Sequence, residues 1–295
     1  MMKPVEKRIC VIDRFFFCNF LLSCYKWKYR WLILGVSLFI FPFLRICAII
    51  KHNRRKESDS MQYSDLAEGV FIERKNRFVA EIEVAGARTF AHVPNTGRCK
   101  EIFLPGAKII VSRASNPKRK YAYTLLMVYK NNMLIHIDSA GANRIAEEAL
   151  LNRKIKGLED VTEVTREQSF GRSRFDFRFQ KGKKLCYMEV KGVTLEENGV
   201  AKFPDAPTDR GARHLLELTE AKAAGYGAYV LFVIQMKGVT SFTPFLERDL
   251  AFTKNLIAAH RGGVRVLAYD TLVTPENITL DREVDIYLPD GEAFI

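Results

Sequence analysis

The chain has 295 residues, of which 48% are hydrophobic, and a formal net charge of +12. This length supports a sizeable buried core and predicts two domains. Residues 1–60 hold 12 Lys or Arg and 4 Asp or Glu, which leaves 34 basic and 30 acidic groups in the other 235 residues. Net charge therefore gives the main body little support for nucleic-acid binding. Only two cysteines follow residue 60 and no Cys-x-x-Cys pair occurs, which excludes a disulfide framework and a cysteine-rich zinc site.

The first 60 residues differ in composition from the rest. Residues 31–50 are apolar apart from Arg45, over a length that suits a membrane span. A secretory signal fits poorly, because thirty residues precede the run and no small-residue cleavage site follows it. Two interpretations of residues 1–60 stay open: a membrane anchor that spans at 31–50, or a reading frame assigned too far upstream, with Met61 as the true start.

The next part of the chain, up to Ser139, consists of short strand patterns separated by turns. We predict strands over 70–72, 78–84, 89–93, 108–112, 121–129 and 133–137. So many short strands in so few residues predict a small β-barrel of the oligonucleotide-binding (OB) type. Three cations, Lys118, Arg119 and Lys120, stand beside two tyrosines, a combination that binds phosphates and stacks on bases. The alternative is a solvated turn that leads into a strand.

From residue 143 onward, helices alternate with strands. Apolar spacing predicts helices over 143–155, 208–224 and 246–260, with Asn143 as the N-cap of the first. Strands are predicted over 161–168, 228–234 and 264–269, with an extended tail over 278–288. The continuous apolar run 228–234 predicts a buried central strand. This order predicts an α/β domain.

Residues 170–195 predict a hairpin with a turn at 180–183. Side chains alternate across a strand. Asp176 is therefore expected on the face opposite to Phe175 and Phe177.

On the second strand of this hairpin, Glu189 and Lys191 oppose an apolar set of side chains. If the apolar faces share one core, Asp176, Glu189 and Lys191 lie on the same side of the sheet. Two carboxylates hold a divalent cation by oxygen ligation, and a neighbouring lysine orients or deprotonates a water. The alternative is an amphipathic hairpin whose charged residues face water and form cross-strand ion pairs.

The order of elements, with Asp176 on the second strand and Glu189 and Lys191 on the third, resembles the core of the PD-(D/E)xK nuclease superfamily. In that pattern a glutamate of the first helix often completes the metal cluster. Glu148 is the best match, with Glu147 beside it. The residue before the aspartate is phenylalanine rather than proline, a departure that the superfamily often tolerates.

Seven sequence blocks also resemble, in order, the sugar fermentation stimulation protein A (SfsA) family. They are GVFIERKNRF (69–78), HVPNTG (92–97), SNPKRK (115–120), GRSRFDF (171–177), EVKGVTL (189–195), FPDAPTDRG (203–211) and HL (214–215). The resemblance runs from about Met61 to the last strands. Members usually begin near this methionine, which favours the upstream reading-frame interpretation of residues 1–60.

The resemblance implies three regions: an extension over 1–60, an OB-like β-barrel domain over 61–140 and a PD-(D/E)xK nuclease-like domain over 141–295. It implies DNA as the partner, bound without marked sequence preference, and a regulatory link to sugar (maltose) utilisation. The low cysteine content predicts a cytoplasmic body. The alternative is a protein anchored in the membrane through residues 31–50, which requires that residues 1–60 are translated.

The resemblance also assigns roles. Asp176, Glu189 and Lys191 are the candidate catalytic residues, and Mg²⁺ or Mn²⁺ is expected between Glu148, Asp176 and Glu189. Candidate nucleic-acid contacts are Lys118, Arg119, Lys120, Arg172 and Arg174. Candidate cleft residues in the matched blocks are Thr194, Asp205, Arg210 and His214, for which a purely structural role is the alternative. Gln235, at the end of the predicted buried strand, is a further cleft candidate, and a strand end that faces solvent is its alternative.

Two functions remain open at this point: a Mg²⁺- or Mn²⁺-dependent endonuclease or exonuclease, and a DNA-binding regulator whose cluster does not turn over. No small-molecule cofactor is expected. Strand preference, DNA versus RNA and oligomeric state are left open.

Overall fold

The structure is a computed structural model, and it describes residues 61–95 and 97–289. The predicted membrane span at 31–50 lies outside these residues. Within the two described ranges, no helix combines the length and the apolar character needed to cross a bilayer.

The N-terminal half of the described chain is a barrel. After a two-residue strand, β1 (Met61–Gln62), the barrel strands are β2 (Leu66–Asn76), β3 (Val79–Val84), β4 (Ala87–His92), β5 (Lys108–Arg113), β6 (Tyr123–Lys130) and β7 (Met133–His136). They form a sheet in the order β4-β3-β2-β5-β6-β7, and a further parallel pairing of β4 with β6 closes it. The predicted strands and the OB-type barrel are confirmed. Strand β2 is much longer than predicted, because its first part pairs with β5 and its second part with β3.

Helix α1 (Ser139–Leu151) links the barrel to the second half. The prediction that Asn143 caps this helix is wrong. The side chain of Asp138 accepts a hydrogen bond from the N–H of Ala140 and forms the cap, so the helix starts four residues earlier than predicted. As a result, the Asn143 side chain is free to make a tertiary contact.

After α1, the second half contains twelve further elements within the described residues, among them the two hairpin strands. In chain order they are β8 (Val161–Phe170), β9 (Ser173–Lys181), β10 (Lys184–Val193), β11 (Leu195–Glu197), β12 (Val200–Phe203), α2 (Asp209–Ala223), β13 (Gly227–Ile234), β14 (Ser241–Pro244), α3 (Leu250–Arg261), β15 (Arg265–Val273), β16 (Asn277–Glu283) and β17 (Asp285–Ile286). The main sheet has the order β1-β16-β15-β13-β10-β9-β8, and its three central strands, β10, β13 and β15, are parallel. A second sheet, β11-β12-β14-β17, was not predicted, since its strands have only two to four residues.

Helices cover both faces of the main sheet, which places its central strand in the core. Every residue of β13 is buried, as its apolar run predicts. Leu231 and Val233 belong to the core on the α1 side, while Phe232 and Ile234 belong to the core that includes α2 and α3.

Strand β9 does not keep its predicted faces along its whole length. The ladder between β9 and β10 ends at the pair Phe177–Met188. Phe177 packs in the α1-side core, but Phe175 packs on the opposite side, with its ring 5.7 Å from that of Tyr187. The prediction that Phe175 and Phe177 share a face is therefore wrong, because the strand leaves the ladder between them. Asp176 lies at the fork where the two strands separate.

Candidate functional site

Asp176 occupies the fork between β9 and β10. Its Oδ2 accepts the backbone N–H of Val190 at 2.8 Å, and its Oδ1 accepts the amide of Asn143 at 2.7 Å. The carboxylate thus replaces a ladder carbonyl opposite β10. Burial, together with the negative charge of Glu189, raises the pKa of Asp176.

Glu189 is almost completely buried, with 4% of its surface exposed. Its Oε1 accepts hydrogen bonds from Lys191 Nζ at 2.6 Å and from His214 Nδ1 at 2.5 Å. Burial alone would raise the pKa of Glu189, but the hydrogen bond from His214 and the charge of Lys191 outweigh it and lower the pKa. The alternative of a hairpin with solvated charges is wrong for this carboxylate.

The second oxygen of Glu189, Oε2, is buried and has no hydrogen-bond partner in the described part of the chain. A buried carboxylate oxygen normally has a partner, since leaving it unpaired costs free energy. A ligand that binds this oxygen would remove that cost.

His214 lies on α2 and is held from its other side. Arg210 Nε donates to His214 Nε2 at 3.4 Å, and an arginine only donates. Nε2 is therefore the acceptor and Nδ1 carries the proton that goes to Glu189. Arg210 is exposed, whereas His214 is 3% exposed.

Glu148, the predicted third metal ligand, lies away from this cluster. Its carboxylate accepts the backbone N–H of Met61 at 3.3 Å and stands 3.9 Å from Lys154 Nζ. Within the described residues no hydrogen bond or ion pair joins it to Asp176 or Glu189. Its neighbour Glu147 pairs with an arginine of β8.

A polar network lies behind the cluster, where the barrel meets β13. Gln235 Nε2 donates to the Asp138 carbonyl at 3.1 Å and contacts His136 Nδ1 at 2.6 Å. His136 Nε2 then contacts the hydroxyl of Tyr63 at 2.6 Å. Since the amide nitrogen only donates, His136 carries its proton on Nε2. Burial lowers the pKa of His136 to about 3, which keeps the ring neutral.

The amide oxygen of Gln235 points at Gly192, the residue that follows Lys191 on β10. A Cβ at position 192 would come within 2.4 Å of Gln235 Oε1, so an alanine here would force the buried Gln235 side chain to shift.

A cleft of about 1040 Å³ opens next to the cluster, between barrel loops and the α/β half. Three predicted cleft residues, Thr194, Asp205 and Gln235, line it, together with Gly192. Asp205 Oδ2 also accepts the backbone N–H of Cys99 at 3.3 Å, which ties the barrel loop to the other wall. Arg210 and His214, the other two predicted cleft residues, are not among the described residues that line it.

The predicted nucleic-acid contacts are all exposed: Lys118, Arg119, Lys120, Arg172 and Arg174. Of these, Arg174 forms an ion pair with Glu167 at 3.2 Å. The basic stretch 118–120 does not line the cleft.

Several residues at the site escaped the sequence analysis. Asn143 was interpreted as a cap, although it holds Asp176. On a helix, residues four apart share a face, so the face of Asn143 continues to Glu147 rather than to Glu148. Barrel cations that line the cleft, Arg74, Arg77, Arg98 and Lys100, were also missed. The one indication in the sequence was that Arg74 and Arg77 fall in the block 69–78, which resembles the SfsA family.

The fold defines a protein with an N-terminal OB barrel followed by an α/β domain. The comparisons with known proteins agree. Residues 72–137 match the family model "SfsA N-terminal OB domain", and residues 140–277 match "Sugar fermentation stimulation protein RE domain". The chain belongs to the SfsA family.

Similar proteins include "Sugar fermentation stimulation protein homolog" chains from Clostridium. The chain is 49% identical to that of Clostridium tetani over 220 residues, 74% of this chain and 95% of the relative. It is 47% identical to that of Clostridium acetobutylicum over 219 residues, again 74% and 95%. A solved structure described as "The structure of Pyrococcus Furiosus SfsA in complex with Ca2+" superimposes with a TM-score of 0.71 at 27% identity. That superposition covers 77% of this chain and 98% of the other.

Proposed function

We propose that this protein binds DNA without marked sequence preference and cleaves it at a divalent-cation site, with Mg²⁺ or Mn²⁺ held by Asp176 and Glu189. The observation that carries the proposal is the unpartnered, buried Oε2 of Glu189 next to a second carboxylate. A divalent cation satisfies that oxygen and removes the repulsion between the two carboxylates.

The residues present fit such a cation. Within the described residues there is no group of three or more His, Cys, Asp or Glu side chains arranged around one point. Two carboxylates suit Mg²⁺, which is usually held by one or two carboxylates, waters and substrate phosphates. The Pyrococcus relative was described with Ca²⁺, another oxygen-seeking cation. The contacts of Glu148 with Met61 and Lys154 do not support a ligand role for it.

When bound, the cation would neutralise charge that develops on the phosphate and lower the pKa of a bound water. The protein's own groups prepare the site. Lys191 and His214 keep Glu189 ionised, and Asn143 fixes the orientation of Asp176. Lys191 is then placed to position the attacking water, with its ammonium 2.6 Å from Glu189 Oε1.

The exposed cations supply a route for DNA to reach the cluster. Arg172 directly precedes β9 and Arg174 is its second residue, two positions before Asp176; both are exposed and suited to hold neighbouring phosphates as paired donors. Contacts of this kind are electrostatic, so binding should weaken steeply with added salt.

The test incubates the full chain with plasmid and with single-stranded DNA in Mg²⁺, Mn²⁺ or EDTA. We expect cleavage that requires metal and that falls below detection in Asp176→Asn. Calorimetric titration with Mn²⁺ should show binding to the unsubstituted protein and none to the variant, which provides a readout independent of turnover.

The matched control is Asp160→Asn, the same chemical change at an exposed position outside the cluster. It should cleave and bind Mn²⁺ like the unsubstituted protein. Cleavage that survives in Asp176→Asn would refute the assignment of the site.

A second candidate function is DNA binding without cleavage, with a regulatory role in sugar utilisation. The shared name of the Clostridium relatives favours it. Salt-sensitive binding that is equal in both variants, without cleavage in any metal, would select this function.

A further inference from the structure

The cleft beside the cluster carries an excess of positive charge from the barrel. Four cations of the barrel line it, namely Arg74, Arg77, Arg98 and Lys100. Asp205 is the one acidic side chain among the described residues on its wall. Arg77, Arg98 and Lys100 form no ion pair with the described part of the chain and are exposed. Unpaired cations that converge on a concave surface attract an anionic ligand.

Arg74 fixes the shape of this cationic wall. Its guanidinium donates to four backbone carbonyls at 2.6–2.8 Å, those of Arg77, Asn95, Gly97 and Arg98. It also lies over the ring of Phe103, 4.8 Å from the centroid. No carboxylate contacts it within the described residues, and burial lowers its pKa. Arg74 thus holds the loop that presents Arg98.

The cleft and the cluster share strand β10. Gly192 lines the cleft and directly follows Lys191 on β10, while Thr194 lies two residues further along the same wall. The cleft and the cluster therefore draw on neighbouring residues of one strand, although Lys191 and Glu189 themselves do not line the cleft among the described residues.

An exposed aromatic residue stands beside one of the cleft cations. Phe78 is 47% exposed, and the guanidinium of Arg77, which lines the cleft, lies 5.8 Å from the centroid of its ring. This ring offers a single strand a surface on which an unpaired base can stack. Cations beside an exposed aromatic ring are typical of single-strand binding surfaces.

We propose that the cleft holds a single-stranded segment of DNA and directs it to Asp176 and Glu189, so that the substrate class of the cluster is single-stranded DNA. The inference rests on the proposed function. Arg77, Arg98 and Lys100 contact the phosphates, and Phe78 stacks on a base at the entrance.

The test measures fluorescence anisotropy of a labelled oligonucleotide with the full chain in EDTA, as a single strand and as a blunt duplex of the same sequence. The single strand should bind at least about tenfold more tightly than the duplex. Arg98→Glu combined with Lys100→Glu should weaken single-strand binding at least about tenfold and reduce the slope of log affinity against log salt by roughly one or two.

The matched control is Lys183→Glu combined with Lys184→Glu, which makes the same charge change at the exposed turn at the other end of β10. It should change single-strand affinity by less than about twofold. Phe78→Ala, which leaves all charges in place, should weaken the single strand several-fold and leave the duplex unchanged.

The inference is overturned if duplex and single strand bind with equal affinity. It is also overturned if the double substitution at Arg98 and Lys100 weakens single-strand binding no more than the control substitution at the turn. If duplex is cleaved as fast as single strand and cleavage still requires Asp176, the proposed function stands and only the cleft assignment fails. If no DNA binds at all, the proposed function fails and the inference falls with it.

Discussion

The imidazole of His214 donates a 2.5 Å hydrogen bond to the carboxylate of Glu189, and both side chains are nearly inaccessible to water. The two residues come from α2 and β10, so this contact fastens a helix to the strand that carries the cluster. Lys191 supplies the only other hydrogen bond to this carboxylate within the described residues. Lys191 and His214 thus stabilise the negative charge of Glu189, which burial alone would destabilise.

Replacing His214 with alanine removes one of these donors. We expect His214→Ala to lower the free energy of unfolding by about 1–3 kcal/mol, because Glu189 is left buried with less compensation. His214→Asn, whose amide occupies a position similar to that of Nδ1, should lose clearly less. Urea denaturation measures both, and equal losses in the two variants would contradict a role for the hydrogen bond.

The same substitution has a pH signature. The folded-state pKa of Glu189 is lowered, so its stabilising contribution is present above the unfolded-state pKa and is lost as the pH falls through the folded one. His214→Ala raises the folded-state pKa and should shift this acid loss to higher pH. Thermal unfolding in EDTA at stepped pH values reveals the shift.

Asp176 should behave in the opposite way. Burial and Glu189 raise its folded-state pKa, so stability falls as the pH rises from the unfolded-state pKa through the folded-state pKa. Asp176→Asn removes this charge, and a flipped Asn143 amide still pairs with it. The variant should therefore have a higher Tm in EDTA at neutral pH, with the difference vanishing in acid. A lower Tm at neutral pH would contradict this account.

Gly192→Ala tests the close approach of Gln235. The added methyl group would stand 2.4 Å from Gln235 Oε1, so the side chain must move and the network to His136 breaks. We expect a loss of about 1–3 kcal/mol in unfolding free energy. Gln235→Ala removes the clash, so the double variant should be more stable than additivity predicts. If the losses in unfolding free energy of the two single variants add up in the double variant, the clash with Gln235 is not the cause of the Gly192→Ala effect.

Arg74→Lys tests the loop that forms the cationic wall. The ammonium of a lysine has three N–H donors and lacks the planar, forked geometry with which the Arg74 guanidinium reaches four carbonyls. We expect a loss of about 2 kcal/mol in unfolding free energy. Arg88→Lys, at an exposed position on β4, is the control and should stay within about 0.5 kcal/mol.

Much of the fold was predictable from local patterns. Apolar and polar residues alternate along barrel strand β3, and β13 is a continuous apolar run. Both patterns follow from which side chains are buried, so they can be recognised in the sequence. The small sheet of β11, β12, β14 and β17 was not predictable, because strands of two to four residues are too short to show a period.

The site was predictable in part. Alternation brought Glu189 and Lys191 together correctly, since both lie on one regular strand. It failed at Phe175, where the ladder between β9 and β10 opens, because a change of face in a strand depends on pairing that periodicity does not encode. The contacts of Asn143 and Arg74 depend on long-range packing, so residue type alone did not reveal them.

The barrel and the α/β half are fastened by polar contacts from three separate loops or strand ends. Lys130 Nζ donates to the carbonyl and the carboxylate of Glu196, Asp205 accepts from Cys99, and His136 contacts Gln235. Exchanging either half for that of a distant relative would leave several of these buried groups unmatched at once. The two halves are therefore expected to have changed together during evolution and to be poor interchangeable modules in protein engineering.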